Sequence, residues 1–220
     1  MKKFLIIFSL IFVFGCSSYS QNKKAVYDCT IKDTITQEEK LINVENYKND
    51  LYKNGGFTLF ENDTLLIDVS LNNNSLTKRK ENKKTHIIKA IQYDEISKKI
   101  ISYEFYYTKG NFNIGKEYYY DSSGKITKTI NNDDPENYTL CYKEAEAIVL
   151  KKMGKKYEIY VLVRENKIIN NEKVYYWEVI TSKIGSFKYA DKREFWIHGK
   201  TGKIIKILKL RVSTDDYFKK

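Results

Sequence analysis

The sequence predicts an α+β protein: two small modules, each an antiparallel β-sheet with a packed helix. Three observations predict it. Aromatic residues make up 15% of the 220, with 19 tyrosines against a single proline, and Tyr and Phe suit half-buried pleated surfaces. The apolar period is two over most of the chain, broken by short polar turns. Helical spacing takes over in two stretches, one after Thr36 and one after Thr139.

The first element is a leader. Lys2 and Lys3 precede an apolar run from Phe4 to Phe14, interrupted only by Ser9, and Gly15-Cys16-Ser17-Ser18 follows. A spanning helix needs roughly 20 apolar residues. This run is about half that, so residues 1–20 read as an export signal and not as a membrane span. Val13-Phe14-Gly15-Cys16 resembles a bacterial lipobox, which implies that Cys16 is diacylated and becomes the mature N-terminus. The protein would then be tethered to a membrane, facing the periplasm or the outside, by methylenes worth about 0.8 kcal/mol each. Ser18-Tyr19-Ser20 offers the alternative of plain cleavage after Ser20, which would give a soluble secreted or periplasmic protein.

Residues 21–132 form the predicted N-terminal module. Val26 to Ile31 reads as a short strand. Thr36-Gln37-Glu38-Glu39 is a capping box, with Leu41, Val44, Tyr47 or Lys48, and Leu51 following at helical spacing and Gly55-Gly56 as the stop. Strands are expected at Phe57–Phe60 and Leu65–Val69 around the turn Glu61-Asn62-Asp63-Thr64. The polar stretch Asn72 to Lys84 reads as a mobile loop. Ile87–Tyr93, Lys99–Tyr107, Ile114–Tyr120 and Lys125–Ile130 then make an antiparallel meander. A short repeat runs through the chain: Tyr93-Asp94, Tyr120-Asp121 and Ile197-His198 each precede a tight turn that returns at Lys99-Ile100, Lys125-Ile126 and Lys203-Ile204. Ordinary hairpins explain it, and it also resembles the rhythm of tyrosine-rich MORN-like repeats.

Asn131 to Glu136, with the only proline, Pro135, marks the boundary. Thr139 is the expected N-cap of a second helix. Glu144 lies near its start and Lys151-Lys152 near its end, as the dipole favours, and Ala145, Ile148, Val149 and Met153 form an apolar face ending at Gly154. Strands follow at Tyr157–Arg164, Val174–Ile180, Arg193–His198 and Lys203–Val212, with a polar turn at Glu165–Glu172 and a polar tail at 213–220. Residues 138–212 resemble a PepSY domain. Glu144-Ala145 through Val149-Leu150-Lys151-Lys152 match its helix, Tyr176-Trp177-Glu178-Val179 its Tyr-x-Val strand, and Phe195-Trp196-Ile197 with Thr201-Gly202-Lys203-Ile204-Ile205 its closing hairpin. The resemblance implies a small α+β module of an envelope or secreted protein. Some such modules inhibit or chaperone a peptidase, and with Lys220 closing the sequence the implied action is on a separate partner.

The formal charge is +11 at pH 7. The lysines are dispersed, the densest run being Lys78-Arg79-Lys80 with Lys83-Lys84, so a solvated basic surface is expected and not a nucleic-acid site. Weak attraction to anionic lipid or polysaccharide is compatible with it. Cys29 and Cys141 remain once the leader is processed, an even pair in an oxidising compartment. They read either as a long-range disulfide or as two free thiols. The two histidines, His86 and His198, lie too far apart in sequence for a local metal motif. No phosphate loop and no nucleophile elbow is present. Asp133-Asp134 and Asp215-Asp216 lie in a linker and a tail. The expectation is a protein that is not an enzyme, with no cofactor and no metal site. Trp177 and Trp196 are the candidate interface anchors, with core packing as the competing role of each. Two functions fit: an envelope binding module that engages a separate protein, or an adhesive surface lipoprotein whose tyrosine-rich sheet meets polysaccharide or matrix.

Overall fold

The computed structural model describes residues 27–185 and 191–210. The leader with Cys16, and the tail at 213–220, lie outside the described residues. The protein is mostly β. Seven strands form one antiparallel meander in sequence order: β1 (Gly56–Glu61), β2 (Leu65–Asn72), β3 (Ser75–Asn82), β4 (Ile87–Asp94), β5 (Ile100–Tyr107), β6 (Phe112–Tyr120) and β7 (Ile126–Asn131). Four more, β8 (Tyr157–Ile169), β9 (Glu172–Lys183), β10 (Lys192–His198) and β11 (Ile204–Leu210), form a second antiparallel sheet. Each sheet carries a short helix, α1 (Lys48–Asn54) on the first and α2 (Tyr142–Met153) on the second.

The expected loop at Asn72–Lys84 is instead strand β3. Asn73 and Asn74 both have positive φ, 44° and 66°, as the tightest hairpin turn requires and as Asn tolerates. The strand is polar because Leu76 alone of its residues is fully buried. The predicted turn at Glu165–Glu172 shrinks in the same way. β8 and β9 stay paired out to Ile169 and Glu172, around Asn170 and Asn171 at φ 51° and 65°.

The helix expected after Thr36 breaks up. The Thr36–Glu39 box forms, with Thr36 N–H donating to Glu39 and Glu39 N–H to the Thr36 hydroxyl, but it heads only one 3-10 turn. Leu41 is then extended and bridges to Lys99, and Ile42 N–H donates to the Lys98 carbonyl at 3.1 Å. Pairing with the β4–β5 hairpin takes backbone groups that a helix would have used. Residues 27–31 form no strand either. At α2 the N-cap is Cys141, not Thr139: the Glu144 carboxylate accepts the Cys141 N–H at 3.0 Å.

The three repeated turns share one geometry. Asp94, Asp121 and His198 donate their N–H to the carbonyls of Lys99, Lys125 and Lys203 at 2.9, 3.0 and 2.9 Å. The residue before each lysine, Lys98, Gly124 or Gly202, is left-handed.

One apolar cluster runs through both sheets. On the meander it includes Leu76, Tyr93, Phe105 and Tyr107, under α1 Leu51, and on the second sheet Leu162, Trp177, Val179 and Phe195, under α2 Ala145 and Val149. The sheets meet where the β5–β6 hairpin reaches β8. Leu162 N–H donates to the Lys109 carbonyl, and any Cβ on Gly110 would lie 1.7 Å from the Leu162 oxygen. Only glycine allows that approach.

Candidate binding site

Cys29 and Cys141 form a disulfide with α-carbons 6.3 Å apart, inside the range such bonds span. It ties the segment ahead of the meander to the start of α2. Beside it lies a cleft of about 710 Å³ between the sheets, lined by Asp133, Tyr138, Tyr142, Arg164 and Trp177 among others.

Arg164, on β8, organises this cleft. Its guanidinium donates to the Asn132 carbonyl, lies 3.9 Å from Asp133, and sits over the rings of Phe112, Trp177 and Tyr138 at 5.1, 5.1 and 5.6 Å. Burial pushes its pKa down, against the opposing pull of Asp133. The cation is thus used to hold the 131–134 linker and the meander onto the second sheet. The sequence reading missed Arg164, because its partners come from three separate stretches of chain.

Trp177 belongs to this core. It is fully buried and its indole N–H donates to the Leu140 carbonyl at 2.8 Å, so of the two roles open to it the structure gives core packing and not the interface. Strand alternation turns its neighbours to the other face. There Tyr176 stacks on Trp196 of β10 at 4.6 Å, with the rings 23° apart. Lys206 and Lys167 lie over the Trp196 ring at 4.6 and 5.4 Å, and the indole N–H donates to Glu194. Glu178, directly opposite Trp196 in the ladder, has its pKa raised by burial and then by Glu194 and Glu165. This face therefore combines an aromatic pair that is itself largely covered, Tyr176 at 5% and Trp196 at 9% exposure, with carboxylates that repel one another and lysines lying over the indole.

His198 anchors a turn, its Nδ1 accepting N–H bonds from Lys200 and Thr201 at 3.2 and 3.3 Å. His86 sits in the β3–β4 turn, with its pKa lowered by burial. Among the described residues no group of three or more His, Cys, Asp or Glu is placed to hold a metal ion, and no helix is long and apolar enough to cross a membrane.

Fold and disulfide together define an extracytoplasmic, mostly-β protein, because disulfides persist in oxidising compartments. No family model and no curated protein matches the chain. Two solved structures are distantly similar. One is a Clostridium difficile 630 protein provisionally described as a lipoprotein, 13% identical, covering 75% of this chain and 89% of its own, at a TM-score of 0.25. The other is the Bacillus megaterium YpeB C-terminal domain, 10% identical, covering 79% and 100%, at a TM-score of 0.25. Likenesses at this level carry no functional argument.

Proposed function

We propose that this chain is an exported, lipid-anchored envelope protein and a non-catalytic binding module. It holds a separate secreted protein against the outer face of its four-stranded sheet. The observation that carries the reading is the Tyr176–Trp196 stack, 5% and 9% exposed, with Glu178 and Glu194 beside it and Lys167 and Lys206 lying over the indole, which a partner would have to displace to reach it. Interfaces concentrate their energy in such aromatic centres, with polar groups around them. A partner bringing a basic side chain to Glu178 would relieve the repulsion among the carboxylates, which gives this face a preference in charge. The leader and the Cys29–Cys141 disulfide support the compartment, and the lipobox at Cys16 supports the anchor. The PepSY resemblance of residues 138–212 makes a peptidase the first partner to seek.

Affinity capture from cross-linked envelope extract, read by mass spectrometry, tests this. The expected result is one extracytoplasmic protein retained by the wild type and reduced about tenfold or more by Trp196→Ala and by Glu178→Lys. Retention of no protein, or equal retention by both variants when they are folded, would refute the reading.

A further inference from the structure

The open face of the seven-stranded sheet carries a second concave feature, away from both the disulfide cleft and Trp196. Its lining comes from β3, β4, β5 and the β5–β6 hairpin, and its volume is about 550 Å³, within the usual range for small-ligand sites. The register explains its shape. Arg79, Ala90 and Glu104 stand directly opposite one another on three adjacent strands. The small Ala90 leaves a trough between two long side chains. Ile88 and Ala90, 6% and 5% exposed, form an apolar floor.

Glu104 is the unusual member. It is 8% exposed, yet it stands on the face away from the core. Opposite it the β5–β6 ladder slips, pairing Tyr103 with Tyr118 but Phe105 with Ile114, with left-handed Gly115 inside the gap. Bulges of this kind re-aim side chains. Here the bulge lets Asn113 donate to Glu104 Oε2 at 2.7 Å while the Tyr106 hydroxyl donates to Oε1. A buried carboxylate fixed by two donors keeps further lone pairs for a ligand. Next to it the Ser102 hydroxyl donates to Gln92 at 3.2 Å, which leaves the Gln92 amide N–H groups available.

We infer that this trough is a saccharide-binding groove, taking a neutral oligosaccharide across β3 to β5. Its chemistry matches a sugar ring, which has an apolar C–H face for the Ile88–Ala90 floor. The ring's hydroxyls both donate and accept, as Glu104, Gln92 and Arg79 require. Arg79 and Glu104 flank the floor, with Asp68 opposite Arg79 and Glu117 acting on Glu104, so the groove repels an anionic polymer while a neutral one meets no such penalty. A peptide strand would add to a sheet edge, since backbone groups within the face are already paired. The inference rests on the export reading only for where such a ligand would be met, and it concerns a different face from Trp196.

Calorimetric titration of the purified mature protein with soluble tetramers of N-acetylglucosamine, glucose and mannose tests it. At least one tetramer is expected to bind. Glu104→Gln should weaken that binding about tenfold, the loss of one charge-assisted hydrogen bond, and the exposed Arg79→Gln about threefold. Trp196→Ala should bind sugar like the wild type, so this result and the protein-capture result fail separately. If no tetramer binds, or if Arg79→Gln and a folded Glu104→Gln both bind as tightly as the wild type, the inference is wrong.

Discussion

Lys89 points into the protein from β4 and is 3% exposed. Its ammonium meets Glu39 at 2.8 Å, Asp33 at 3.0 Å and the Thr34 carbonyl at 2.6 Å, which pins the segment before α1 onto the meander. Truncating one member of a buried ion pair strands the other, at about 3 to 5 kcal/mol. Lys89→Met should therefore lower unfolding stability by that order in chemical denaturation. Burial alone would raise the Glu39 pKa, but Lys89 and the Thr36 N–H outweigh it and hold it below its ordinary value. A carboxylate with a depressed folded-state pKa stabilises above its unfolded value and loses that contribution as pH falls through the folded one. The wild type should lose stability as pH drops below the ordinary glutamate value of 4.5, and Lys89→Met should lose less over the same range. None of this is legible in the sequence, where Lys89 is one lysine among many and its partners lie 50 or more residues away.

At the level of elements, legibility followed local chemistry. The strands around Asp121-Ser122-Ser123-Gly124 were readable because the turn residues and the alternation agree. β3 was not, because a strand whose outer face is charged has the composition of a loop. Its real signal was Asn73-Asn74, two residues that accept left-handed backbone. That gives a prediction: Asn74→Val, which forces a β-branched residue to φ near 66°, should cost about 1 to 2 kcal/mol by thermal or chemical unfolding. Asn74→Gly should stay within a few tenths of the wild type. The helix after Thr36 failed for the opposite reason. Its capping box was correct, but the pairing of Leu41 and Ile42 with the β4–β5 hairpin is long-range, and tertiary contact overrides local propensity. Of the site residues, Trp177 and Trp196 were separable only once strand register fixed which face each occupies.

Across the whole molecule, the sheets are joined by one core, by Arg164 and by the disulfide. In the loop-entropy model a bridge spanning 112 residues contributes roughly 4 to 5 kcal/mol, comparable to much of a domain's net stability. A bond on which that much stability rests requires an oxidising compartment, which the leader is expected to supply. The most direct test is the intact mass of the protein purified from its native membrane fraction. The predicted result is a chain beginning at a diacylated Cys16, two hydrogens lighter than its reduced form because Cys29 and Cys141 are joined. A soluble cytoplasmic species that retains Met1 and carries free thiols at Cys29 and Cys141 would contradict it.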